Sequence, residues 1–299
     1  MNHWVIWTLL TLLSWGIWAV LSKLVGGGIT DAQVQVISTL GVLPILAALF
    51  TIKDPAPVGN RSQGILLAFG SGIVSCLGNI AFYDVLSRGG KAAAVIPVTD
   101  LYPAVTVLLA VPLLKERLNR FQILGIGLSL GAIYLFHVAQ EDSLLSTWLF
   151  LALIPIVLWG ICGLMQKMST DHISGRSSAV WFLLAFLPVA ALIVVFDPLP
   201  SGIPWKTLGI ATAVGFSLAL GNLTILLAFA SGGKASIIAP LAGLYPMVSI
   251  PIAIFALGER IGWRESMGIA MALAAVVMLS FQPELKSSTV PPIEAEVLP

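Results

Sequence analysis

The stretch GGKAAAVIPVTDLYPA at residues 89–104 is written a second time as GGKASIIAPLAGLYPM at residues 232–247. Shifting the chain by 143 residues extends the match. Gly78-Asn79 falls on Gly221-Asn222, Pro97 on Pro240, Leu101-Tyr102-Pro103 on Leu244-Tyr245-Pro246, and Glu116-Arg117 on Glu259-Arg260. Residues 78–127 and 221–270 share 17 identities in 50 positions. With a shift of 144, Trp15-Gly16 falls on Trp159-Gly160 and Lys23 on Lys167. Apolar residues align by chance between any two hydrophobic segments, but Gly-Gly-Lys, Tyr-Pro and Glu-Arg in register do not. The chain is an internal repeat.

The medium for that repeat follows from composition. Of 299 residues, 58% are hydrophobic and 10% charged, and the mean hydropathy is +1.00. A soluble domain carries about 25% charged residues, so this chain lacks the charge to cover a water-facing surface. Net charge is +1, and no basic face suggests nucleic acid as a partner. Cys76 and Cys162 lie in apolar stretches and suggest neither a disulfide framework nor a metal cluster. A membrane helix needs about 20 apolar residues, and such runs cover 4–25, 33–52, 64–86, 92–114, 121–139, 148–168, 177–196, 207–230, 235–257 and 264–282. The expected fold is an all-α membrane protein of ten transmembrane helices. Residues 1–140 form a first five-helix repeat and 141–283 a second. Residues 284–299 form a disordered cytoplasmic tail. The first run, at 4–25, reads as a retained helix rather than a signal peptide.

Five spans per repeat is an odd number. The second repeat therefore enters the bilayer from the opposite side, and the halves are inverted, as in secondary transporters. With the N-terminus inside, Lys53, Arg61, Lys115, Arg117, Arg120, Lys167, Arg176, Lys234 and Lys286 lie inside, and Lys23, Arg88, Lys91, Lys206, Arg260 and Arg264 lie outside. The pairs Lys23/Lys167, Lys91/Lys234 and Arg117/Arg260 cancel by symmetry. The remaining bias places both termini in the cytoplasm of a cell with an inner (cytoplasmic) membrane.

The repeated Gly-Gly-Lys-Ala, the Pro97/Pro240 and Leu-Tyr-Pro positions, the Glu-Arg closing each fourth span and the Trp-Gly starts resemble the EamA-type drug/metabolite transporter superfamily. The resemblance covers nearly the whole chain apart from the tail. It implies a ten-helix carrier of small metabolites, often an exporter, working by alternating access without ATP. Some smaller relatives couple to protons through a carboxylate in the first helix; residues 4–25 contain none.

Candidate solute contacts follow from polar and kinking residues at membrane depth. Asp100 lies eight residues into its span, roughly 12 Å deep in a core about 30 Å thick. An ionisable group there is a functional candidate by default, and Asp100 is the candidate for proton coupling. Its repeat mate is Gly243. Pro97 and Pro240 remove backbone donors where freed carbonyls are tolerated next to a cavity. Tyr102 and Tyr245 offer a ring and a hydroxyl at equivalent depth. Asn79 and Asn222 each require a partner, either solute or a neighbouring helix. Tyr83 sits lower on the same helix as Asn79, beside Asp84, towards the outer mouth. Trp15 and Trp159 are placed to stack on a ring or a cation, or to pack. Lys91 reads as snorkelling, and Glu259-Arg260 as pairing between repeats or with headgroups, with gate locking as a further option.

His137 and His172 have no second ligand at metal spacing, and no Walker A, Gly-x-Ser-x-Gly or His-Glu-x-x-His motif occurs. No metal, cofactor or catalytic residue is expected. The expected partners are a small-molecule solute and the bilayer, with a monomer sufficient and a homodimer open. Candidates that are apolar, aromatic or amide favour an amino acid or related metabolite, moved outward, over a phosphorylated solute. Sugar or other metabolite uptake is the alternative within transport, a membrane sensor or assembly protein the alternative outside it, and a lipid-modifying membrane enzyme the weakest.

Overall fold

A computed structural model describes residues 3–51, 59–88, 91–114, 118–138, 147–230, 241–279 and 281. Pro240, Glu116, Arg117, Lys234 and the tail at 284–299 lie outside the described residues. Within them the chain is helical, in the order α1 (His3–Leu24), α2 (Asp31–Phe50), α3 (Arg61–Ser87), α4 (Ala92–Thr99), α5 (Tyr102–Leu114), α6 (Arg120–Val138), α7 (Thr147–Thr170), α8 (Gly175–Leu184), α9 (Phe186–Phe196), α10 (Trp205–Ala230), α11 (Pro246–Leu257) and α12 (Trp263–Leu279). Among the described residues, seven helical stretches are long and apolar enough to cross a membrane. They are α1, α2, α3, α4 with α5, α7, α8 with α9, and α10. The shorter helices α6 and α11 are apolar too.

Two runs that read as single spans are broken. The run at 92–114 divides between α4 and α5. Pro103 has no N–H to bond the Thr99 carbonyl, and the chain tightens there: Asp100 N–H donates to Ile96 O at 3.0 Å and Leu101 N–H to Val98 O at 3.1 Å. The run at 177–196 divides at Ala185, the residue between α8 and α9, three residues before Pro188, which cannot bond the Leu184 carbonyl.

Helix packing follows the sequence repeat. Helix α1 packs on α10, and its repeat mate α7 packs on α3, the mate of α10. Helices α6 and α12, also mates, pack on each other. Helix α2 lies against α10 as α8 lies against α3. The pairing is matched down to single residues. A Cβ at Gly215 would strike the Ser38 backbone, and one at its mate Gly72 would strike the backbone of Phe182, the mate of Ser38. In lipid, where helices gain nothing from leaving water, such close backbone approach at small residues is a main source of association.

The start of α2 is tied across to the end of α9. Thr30 and Gln33 form a reciprocal capping box, in which Gln33 N–H donates to Thr30 Oγ1 and Thr30 N–H to Gln33 Oε1. Both side chains also donate to the Asp197 carboxylate, Thr30 Oγ1 at 2.5 Å and Gln33 Nε2 at 2.7 Å. Removing the carboxylate leaves the box without its anchor. Asp197→Ala is expected to cost about 1–3 kcal/mol, read as a lower melting temperature in detergent. An unchanged melting temperature would refute the anchoring role.

Candidate functional site

The two repeats meet through a matched set of tryptophans, glycines and tyrosines. A Cβ at Gly78 on α3 would run into the Trp159 indole of α7, and one at Gly221 on α10 into the Trp15 indole of α1. A Cβ at Gly160 would meet Val105 and the Tyr102 carbonyl, and one at Gly16 would meet Val248 and the Tyr245 carbonyl. Trp159 sets its edge on Tyr102 with ring centroids 6.2 Å apart at 82°, and Trp15 sets its edge on Tyr245 at 6.1 Å and 80°. The first helix of each repeat thus carries a wedge that enters the third and fourth spans of the other. The Trp-Gly pairs read from the sequence are inter-repeat packing elements in this conformation.

The symmetry ends at the next layer. Trp159 also contacts Trp18 at 5.7 Å and Phe82 at 5.5 Å, and Trp18 stacks on Phe82 at 5.1 Å and 24°. Phe82 in turn contacts Tyr83 at 6.1 Å. Sequence reasoning omitted Trp18 and Phe82, because neither belongs to the matched Trp-Gly or Tyr-Pro signals. Their only sequence sign is aromatic bulk on α1 and α3, one helical turn beyond Trp15 and Asn79.

Asp100 sits at the break between α4 and α5, with 1% of its surface exposed. Neither carboxyl oxygen meets hydrogen-bond geometry with a described protein group. The Tyr245 phenol lies within side-chain interaction range and Tyr102 within electrostatic range. The break therefore gathers Asp100, Tyr102 and Tyr245 from both repeats. Pro97 is buried in α4 just before it.

Asn79 and Asn222 part company. The Asn222 amide donates to Leu218 O of its own helix at 2.9 Å. Asn79 is 1% exposed, and its amide nitrogen meets no partner among the described residues. The same holds for the Trp15 indole nitrogen, whereas the Tyr83 hydroxyl lies within side-chain interaction range of Trp18 and Ser38 though outside strict hydrogen-bond geometry. Tyr83 is buried, while its neighbour Asp84 pairs with Arg88 at 2.7 Å. Asp84 and Arg88 line an open groove of about 460 Å³ together with Thr30, Asp31, Ile80 and Asp197.

The Lys91 side chain, read as snorkelling, is engaged by the other repeat. Its ammonium donates to Glu265 Oε1 at 2.8 Å and to Arg260 O at 2.9 Å. Glu259 pairs across the repeats, accepting the Ala92 N–H on Oε1 and the Ala93 N–H on Oε2, each at 2.8 Å.

Comparison with known proteins places this architecture. The model of the EamA-like transporter family matches residues 2–138 and again 146–281. The chain belongs to that family. It is similar along 90% of its length to an uncharacterized transporter, sll0355, of Synechocystis sp., at 23% identity over 315 residues and covering 88% of that relative. An uncharacterized protein of Methanocaldococcus jannaschii, MJ1333.1, is 31% identical over 106 residues, which is 35% of this chain and 74% of that one. A solved crystal structure shares the fold at TM-score 0.61 and 17% identity, covering 93% of this chain and 97% of the other. This EamA-family protein is thus a multi-pass membrane transporter built of helices.

Proposed function

We propose that this protein is a secondary transporter of small organic metabolites, specifically amino acids or closely related compounds. It moves them outward by alternating access between two inverted five-helix repeats, 1–140 and 141–283, that together supply ten spans. Both termini face the cytoplasm, and the membrane is the inner one. The family supports transport, and the repeat-matched packing supports inversion, because one two-fold operation takes each Trp–Gly contact into the other.

One observation carries the solute class. Buried polar atoms are ordinarily paired, and each exception calls for an explanation. Among the described residues the atoms outside strict hydrogen-bond geometry include an acceptor, Asp100, within interaction range of Tyr245, and two donors, the Trp15 indole nitrogen and the Asn79 amide, with Trp18 and the Tyr83 hydroxyl within interaction range of each other. Aromatic contacts run from Tyr102 through Trp159, Trp18 and Phe82 to Tyr83, and a separate contact joins Trp15 to Tyr245. An α-amino acid complements such a set. Its ammonium suits Asp100, its carboxylate suits N–H and O–H donors, and its side chain suits the rings. A sugar offers hydroxyls alone and leaves the carboxylate without a charged partner. Tyr102, Tyr245, Trp159, Asn222 and Pro97 line or shape the same site, and Asp100 is also the proton-coupling group.

The test is solute flux into proteoliposomes that hold a pH-sensitive dye. Amino acids, sugars and polyamines are offered with and without a proton gradient. Flux of an amino acid with proton movement is expected, and Asp100→Asn should lower it by about tenfold or more, the loss of one charge-assisted bond. Flux of sugars alone would overturn the solute class. Proton movement that persists in Asp100→Asn would overturn the coupling role.

A further inference from the structure

The fourth helix of the first repeat begins without a cap of its own. Lys91 occupies the N-cap of α4 and makes no side-chain capping bond, although the first N–H groups of any helix need partners. The second repeat supplies them. Gly258 closes α11 in the left-handed region at φ 67°, which turns the chain and brings Glu259 onto α4. Its carboxylate grips Ala92 and Ala93 by one oxygen each, at 2.8 Å. A carboxylate here also meets the positive end of the helix dipole. Lys91 then reaches back to Glu265 and to the Arg260 carbonyl. Lys23, whose ammonium donates to Leu86 O at 2.7 Å, lies within electrostatic range of Glu259. Every one of these cross-contacts to Lys91, Ala92 and Ala93 comes from the other repeat, on one face of the protein.

The repeat mate of Glu265 is Gln122. The two do the same local work. Gln122 Oε1 accepts the Asn119 N–H at 3.1 Å, and Glu265 Oε2 accepts the Gly262 N–H at 2.6 Å, each opening its own helix. Only Glu265 has a charge left over, and it spends its second oxygen on Lys91. Glu265 is 6% exposed while the Lys91 side chain is 42% exposed, so the carboxylate end of the pair is shielded from water and the ammonium end stays open to screening by salt. An amide in that place forms no ion pair.

We propose that Glu259, Glu265 and Lys91 form a latch between the repeats whose Lys91–Glu265 ion pair has no counterpart through Gln122, the mate of Glu265, so that the resting protein is biased towards closure on the face that carries it. The proposal rests on alternating access as the mode of transport. In the orientation given above the latched face is the external one, and the resting carrier is open or ready to open inward. A latch of this kind sets which side a solute meets first, and that is a property of an exporter.

The experiment is a distance measurement on the full chain in lipid, by double electron–electron resonance. Spin labels replace the exposed side chains of Arg88 and Arg260 after Cys76→Ala and Cys162→Ala. The unsubstituted latch is expected to give one short distance. Glu265→Gln keeps the capping oxygen that Gln122 uses in the first repeat, so the fold survives, and only the charge is lost. It should add a longer distance and raise the ratio of long to short by roughly tenfold. Lys91→Gln should do the same, and Lys91→Arg should retain the short distance. Distances unchanged in both Glu265→Gln and Lys91→Gln would overturn the latch. Flux assayed on the same proteoliposomes separates the two readings: a distance shift without flux of any solute rejects the transport reading and keeps the latch, whereas flux without a distance shift rejects the latch alone.

Discussion

Gly215→Val is expected to leave no folded protein. Helices α2 and α10 approach so closely at this point that a single Cβ on Gly215 would overlap the Ser38 carbonyl, and Gly41 on the facing helix is as closely held by Thr212 and Phe216. The obstruction is backbone, which cannot swing aside as a side chain can. Overpacking of a tight core costs about 1–3 kcal/mol even where neighbours yield; here the helices must separate, losing the packing that holds them together in lipid. Gly72→Val should fail equally, because it meets the Phe182 carbonyl and the Ala185 Cβ in the matching place. Gly209 lies on the same helix as Gly215 with open space around it. Gly209→Ala is expected to fold normally and to gain up to about 1 kcal/mol from helix propensity. The measurement is the yield of monodisperse protein in detergent, with its melting temperature. A well-folded Gly215→Val would show that the backbones are not in contact.

Trp159→Ala should be the most damaging of the large-to-small changes at the repeat interface. The indole fills the space over Gly78 and contacts Trp18, Phe82 and Tyr102. Emptying a site held by three rings costs about 3–5 kcal/mol. Trp15 occupies the matching place over Gly221 but contacts a single ring, Tyr245. Trp15→Ala is therefore expected to cost less, by roughly 0.5–1.5 kcal/mol for each aromatic contact it does not have. The two melting temperatures in detergent decide it. Equal losses would mean that the Trp18–Phe82 layer adds nothing to the wedge.

The all-helical membrane fold was legible because the bilayer forces long apolar runs, and the two-fold relation was legible because Gly-Gly-Lys, Tyr-Pro and Glu-Arg are rare enough to align. The breaks at Asp100 and Ala185 were visible only as prolines. Hydropathy counts apolar residues and is blind to whether a helix stays continuous through them. Trp15 and Trp159 read as residues that stack on a solute or pack, and the glycine notches they fill in the other repeat were out of sight, since a helix's own periodicity says nothing about what stands opposite. The partners of Lys91 were out of reach for the same reason: Glu265 lies 174 residues away, and no local pattern links them. Asn79 and Asn222 look identical in the aligned repeats, but the Asn222 amide bonds its own helix and the Asn79 amide nitrogen has no partner among the described residues.

The notch-and-wedge joint between the repeats also bears on how the protein is made. The ribosome delivers the first repeat before the second exists. During that interval Gly72 and Gly78 present surfaces cut for Phe182 and Trp159, residues still to be synthesised, and Trp15 has no Gly221 to enter. The first half must wait in the bilayer with its joints exposed to lipid. Assembly is thus a docking of two inserted halves rather than the growth of one core, and the peptide link between them serves chiefly to keep them near each other.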